Sequence, residues 1–203
     1  MENKIARIIS YIFHPLLMPL YAFILLFNMN AYFSSVITFY GKLLILSFIF
    51  VFTFIFPSVL TYFLYKLKII SSLHLEKREE RGIPFIFTII FYYGAYYMLK
   101  KSEVPAIFLL IMLATTMMII IVFFINLKFK ISIHNLSTGA LTGLIIGISY
   151  RFNLELILLI LLSILSSGLV GFSRIALNSH RPSEVYFGYL LGFCSMLGLF
   201  LIV

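Results

Sequence analysis

Apolar runs close to the length of a membrane-crossing helix, roughly 20 residues, recur seven times along this chain. They cover Ile8–Phe27, Leu43–Tyr65, Ile83–Leu99, Val104–Ile125, Ile131–Tyr150, Leu156–Phe172 and Val185–Val203. A helix satisfies its own backbone hydrogen bonds where no water is present. The pattern therefore predicts an all-α, polytopic transmembrane helical bundle of six to seven spans. Composition agrees, with 63% of residues hydrophobic and 11% charged, against roughly 45–50% and 25% in a soluble domain. A soluble domain of this size could not bury so much apolar surface. Pro15 and Pro19 are expected to kink the first run or to hold it part-way across. That run is also too long for a cleavable signal and lacks a small-residue cleavage site. The connections are short, so residues 1–203 are expected to form one integral membrane domain without internal repeats.

The charged residues are lopsided, 15 Lys and Arg against 7 acids, for a net charge of +8. Every acid is Glu. The absence of Asp excludes an aspartyl nucleophile and Asp-rich magnesium motifs. The positive balance is ordinary for loops beside apolar spans, so no nucleic-acid partner is expected. Cys194 stands alone in an apolar run and offers neither a disulfide nor a metal site. Alternating the seven spans places Lys4, Arg7, Lys66, Lys68, Lys77, Arg78, Arg81, Lys128, Lys130, Arg174 and Arg181 on one face. The other face receives Lys42, Lys100, Lys101 and Arg151. His74, His134 and His180, with Glu76, Glu79, Glu80 and Glu184, join the crowded face. The positive-inside rule accounts for the lysines and arginines and assigns that face to the cytoplasm. It does not account for the histidines. Without the five basic residues of the candidate site the split falls to six against four, which leaves the side of the membrane open.

The loop between the last two runs, Gly171 to Glu184, carries the densest chemistry. Pro182 suits the first turn of a helix, which sets His180 at the positive end of the last span, where anions are favoured. Glu184 follows four residues later, within reach of the imidazole if the turn is helical. A carboxylate on one ring nitrogen fixes the tautomer and leaves the other nitrogen as nucleophile or base. Arg174 adds a fork suited to phosphate oxygens.

Ser173-Arg174, then five residues, His180, three residues and an acid resembles the third signature, SRxxxxxHxxxD, of the type 2 phosphatidic acid phosphatase superfamily. Glu184 stands where that family usually has Asp. Ile131-Ser132-Ile133-His134 occupies the place of the second signature, PSGH, keeping its Ser and His. Lys77-Arg78-Glu79-Glu80-Arg81-Gly82-Ile83-Pro84 occupies the place of the first, KxxxxxxRP, with altered spacing. The resemblance covers 77–192, a phosphatase-like core to which residues 1–65 add two spans.

The resemblance implies a metal-independent, cofactor-free hydrolase of a lipid phosphate or diphosphate. A polyprenyl diphosphate is favoured over a glycerolipid phosphate, because small bacterial-type members of the family commonly recycle such lipids. It implies a site in a bacterial-type cell membrane. His180 would be the nucleophile, forming a phosphohistidine, with Glu184 orienting it. His134 would protonate the leaving oxygen and then activate water. Lys77, Arg81 and Arg174 would hold the phosphoryl oxygens, with Arg78 competing for the role of Arg81 and Ser132 adding a contact. The alternative is a non-catalytic lipid-phosphate-binding protein or small transporter, for which the basic residues suffice and the two histidines are unnecessary.

Other conspicuous residues carry plainer expectations. His14, before Pro15 and remote in sequence from the rest, is expected to make an interior hydrogen bond. His74 is expected to be solvated or lipid-facing, and Arg151 with Glu155 to pair at the opposite face. Tyr92, Tyr93, Tyr96 and Tyr97 read as aromatic packing, and Met112, Met117 and Met118 as core or lipid-facing filler. Gly139, Gly143 and Gly147 form a small-xxx-small row for close helix packing. The alternation of spans puts residues 4 and 101 on opposite faces. In a Cys194→Ser background, a membrane-impermeant thiol reagent on intact cells is expected to label one of Lys4→Cys and Lys101→Cys and to spare the other.

Overall fold

The structure is a computed structural model that describes residues 2–73, 75 and 77–202, without the Glu2 side chain. His74 and Glu76, assigned above to the basic face, lie outside the described residues. The chain is 82% helical, and no strand occurs among the described residues. In order the helices are α1 (Glu2–Ile12), α2 (Met18–Asn28), the single turn α3 (Tyr32–Ser35), α4 (Phe39–Phe50), α5 (Phe56–Lys66), α6 (Gly82–Lys101), α7 (Ala106–Asn126), α8 (Ile133–Phe152), α9 (Ile157–Ala176) and α10 (Pro182–Ile202). Six helical stretches are long and apolar enough to cross a membrane: Asn3–Asn28, Phe39–Lys66, Arg78–Lys101, Ala106–Asn126, Ile157–Ala176 and Pro182–Ile202. The protein is an all-α, polytopic integral membrane protein.

Prolines set the irregularities within these stretches. The ring of Pro15 disfavours helical geometry at the residue before it. His14 is accordingly extended (φ −66°, ψ 132°), and a 3₁₀ turn, Pro15–Leu17, separates α1 from α2. Pro57 lacks an N–H, and its ring would clash with the carbonyl four residues back. A π-helical turn, Val51–Ile55, absorbs that conflict, so α4 continues into α5 without a break.

The chain divides into two compact units. Residues 19–129 form one, and residues 1–18 with 130–203 form the other, a division that cuts across the expected core of 77–192. In the 19–129 unit, α6 packs on α7. The rings of Phe23, Phe27 and Phe33 converge on Phe108, with centroids 5.0–6.1 Å away. Lys42 Nζ donates to the Phe27 carbonyl (2.9 Å) and to Ser34 Oγ (3.0 Å), placing a cation at the negative end of α2. Tyr92 and Met112 are buried, whereas Tyr93, Tyr97 and Met117 are exposed.

The other unit is built around α8. Of its 20 residues 11 are buried, against 5 of 20 in α9 and 6 of 21 in α10. This explains why α8, predicted as the fifth span, is too polar to stand among the six. Its Thr138, Thr142 and Asn135 face protein, and Thr142 and Asn135 reach Ser167 of α9 at 3.4 Å each. Helix α10 lies along α8 with backbone against backbone. A Cβ on Gly139 or Gly143 would collide with the carbonyls of Tyr189 or Phe193. A Cβ on Gly188 or Gly192 would collide with those of Ser132 or Leu136. These pairings advance together, so the two helices run parallel and both begin at the same end. Small residues are what permit this approach. Gly192→Ala is expected to destabilise by about 1–3 kcal/mol, since the helices must part to admit a methyl group. Gly168→Ala, where nothing lies within 4 Å, should be neutral or stabilising by up to about 1 kcal/mol. Thermal unfolding in detergent micelles checks the pair.

Candidate functional site

The loop from α9 to α10 is shaped by local signals. Helix α9 ends at Ala176, and Asn178 just beyond it adopts the left-handed conformation at φ 52°, a form that Asn tolerates and that closes helix ends. The N–H groups of Ser179 and His180 donate back to the Arg174 carbonyl at 3.1 and 3.3 Å. Lys130 Nζ donates to the Ser179 carbonyl at 2.9 Å and ties down the loop from outside. Pro182 then opens α10, and the Glu184 and Val185 N–H groups donate to the Arg181 carbonyl. The helical turn brings His180 Nδ1 and Glu184 Oε2 to 2.6 Å. Both are buried, 8% and 9% exposed. Glu184 when ionised accepts the Nδ1 proton, which puts the lone pair on Nε2.

The start of α8 lies beside this pair. The Ser132 N–H donates to the Glu184 carbonyl at 3.2 Å. The Ser132 hydroxyl caps α8, accepting the Asn135 N–H at 3.4 Å and donating to Asn135 Oδ1 at 3.1 Å. His134 sits in the first turn and is half-buried. Its ring hydrogen-bonds the Ser10 backbone, and Arg174, His14 and His180 lie near it. His14 meets it edge to face, with ring centroids 5.8 Å apart and planes at 78°. Arg174, in the last turn of α9, donates from Nη1 to Ser10 Oγ at 3.3 Å. So His180, Glu184, His134, Ser132 and Arg174 come together in one unit.

Lys77, Arg78 and Arg81 belong to the other unit, 19–129. There the Arg78 Nη1 donates to the Lys128 carbonyl at 2.7 Å, and Asn126 Nδ2 donates to the Arg78 carbonyl at 3.1 Å. These bonds fasten the 3₁₀ turn Arg78–Arg81 to the end of α7. Arg81 is buried and donates from Nε to the Leu75 carbonyl at 2.8 Å. Lys77 pairs with Glu80 at 3.6 Å.

Comparison of the chain with family models, with curated proteins and with solved structures finds no match. Among the described residues no group of three or more His, Cys, Asp or Glu side chains is arranged to hold a metal ion.

Three participants were not among the sequence-derived site residues: Ser10, His14 and Lys130. The only sequence signal for His14 is its place before a proline in an apolar run, and Lys130 is one basic residue among many. Both are brought in by contacts between segments far apart in the chain. The His180–Glu184 geometry makes a spectroscopic prediction. In ¹⁵N NMR of histidine-labelled protein, neutral His180 should be in the Nδ1–H form, and Glu184→Ala should shift it towards the Nε2–H form. An unchanged tautomer in the variant would show that the carboxylate does not set it.

Proposed function

We propose that this protein is a membrane-embedded hydrolase of lipid phosphates, working through a phosphohistidine at His180. The observation that carries the proposal is the buried His180–Glu184 pair at the start of α10, with a second histidine, His134, in the first turn of the parallel helix α8. A site that only binds phosphate is served by Lys and Arg, which stay charged. Two imidazoles, one backed by a carboxylate, suit proton and phosphoryl transfer at neutral pH. The resemblance of Ser173-Arg174 through Glu184 to a lipid-phosphatase signature points the same way. A polyprenyl diphosphate is the favoured substrate and a glycerolipid phosphate the second.

In the first step, Nε2 of His180 attacks phosphorus, and the bond from phosphorus to the leaving oxygen breaks. His134, whose protonated form is favoured by the negative charge of the bound phosphate, delivers its proton to that oxygen. Glu184 balances the positive charge that develops on the His180 ring. In the second step, His134, now neutral, takes a proton from water as the water oxygen attacks the phosphohistidine. The phosphorus–nitrogen bond breaks, inorganic phosphate leaves, and His180 is regenerated. Arg174 offsets negative charge on the phosphoryl oxygens, helped by the positive ends of two helices that begin side by side.

Purified protein in micelles is expected to release phosphate from a polyprenyl diphosphate. His180→Ala should abolish release, and His134→Ala should lower it by about 10²–10⁴-fold, the range for a positioned acid–base group. Glu184→Asp should retain most of the activity and Glu184→Ala little. No release by the wild type, or release that survives both histidine substitutions, would sink the proposal in favour of a non-catalytic lipid-phosphate-binding protein or transporter.

A further inference from the structure

The segment Ser10–His14, at the end of α1, touches two members of the site by separate contacts. The Ser10 hydroxyl accepts from Arg174 Nη1 at 3.3 Å, and the Ser10 backbone hydrogen-bonds the His134 ring. His14 contributes a third contact, its ring meeting that of His134 edge to face at 5.8 Å. The His14 ring is itself held in place. Pro15 forces its backbone to be extended, and its Nδ1 accepts the Leu16 N–H at 3.3 Å as the cap of the 3₁₀ turn. That acceptor bond puts the proton of the neutral ring on Nε2. A cap could equally be supplied by Ser, Asp or Asn. An imidazole is needed only if the ring has a second task, and the contact with His134 supplies one.

We infer that His14 is a positioning residue for His134, holding its ring in the orientation required for proton transfer, and that α1 thereby forms a third wall of the site. The inference rests on the phosphatase reading above, because it gives His134 a proton to move. Ser10 acts alongside by steadying the Arg174 fork. The contacts run from α1 to α8 and α9 within the unit of residues 1–18 and 130–203.

The cap and the ring can be separated by substitution. His14→Asn keeps an acceptor for the Leu16 N–H, since Asn is a favoured cap, and removes the imidazole. His14→Phe keeps an aromatic ring against His134 and removes both nitrogens. Steady-state hydrolysis of a polyprenyl diphosphate in micelles is measured for wild type and both variants, with thermal unfolding in parallel. The Asn variant should unfold at the wild-type temperature with kcat lowered about ten-fold or more, a part of the ~10²–10⁴ that a positioned acid–base group supplies. KM should stay within about two-fold, because Arg174 is untouched. A merely structural role would leave kcat of the Asn variant at the wild-type value, and that result overturns the inference while sparing the phosphatase reading. The Phe variant, which keeps the ring contact, should hold kcat closer to the wild-type value than the Asn variant does. If the Asn variant fails to fold, His14→Gln, which also keeps an acceptor and removes the ring, carries the same comparison. A wild type that releases no phosphate overturns both together.

Discussion

Backbone contact between α8 and α10 is the constraint on which the site-bearing unit depends. In hydrocarbon the hydrophobic effect gives helices little reason to associate, and close packing must supply the attraction. Gly139 and Gly143 on one helix, with Gly188 and Gly192 on the other, leave room for nothing but the facing carbonyls. Such contacts fix register as well as distance. Gly188 lies against the Ser132 carbonyl, and four residues earlier the Glu184 carbonyl accepts the Ser132 N–H. The first turns of the two helices are thereby joined, and with them the segments that carry His134 and His180.

The second consequence concerns polarity. A helix enclosed by neighbours can carry side chains that lipid would not accept, provided that each finds a partner. Helix α8 does so with Ser132, Asn135, Thr138 and Thr142, whose hydroxyls and amide bond the helix backbone, one another or Ser167. The first turn of this enclosed helix is where His134 sits, partly screened from lipid and close to two further imidazoles.

What was legible in the sequence was what is local. Apolar runs gave the helices, because burial in lipid acts on every residue of a span. Pro182 and the spacing of His180 from Glu184 gave the dyad, because one helical turn fixes both. The row Gly139-Gly143-Gly147 announced a close approach, although its partner glycines on α10 were not singled out. The enclosed nature of α8 was not legible, since hydropathy does not distinguish lipid contact from protein contact. Nor was the π-helical turn before Pro57, which is one of several ways to relieve the same clash. His14 was expected to make an interior hydrogen bond, and the bond it makes is the cap of the 3₁₀ turn at Pro15–Leu17. Its neighbour His134 lies 120 positions further on, and no periodicity connects the two.

The bond from Arg174 to Ser10 closes a loop of 164 residues, and the whole 19–129 unit lies within it. Closing such a loop costs only logarithmically more entropy than closing a short one, but it takes time. As the chain is synthesised, α1 precedes its partner α9 by the whole 19–129 unit, so α1 must wait at the membrane while more than half of the protein is inserted. Its lysine and arginine beside exposed isoleucines, Lys4 and Arg7 with Ile5 and Ile8, suit a helix that can rest at the lipid surface in the interval. The cluster of Ser10, His134, Arg174, His180 and Glu184 can then form only after the 19–129 unit has been made.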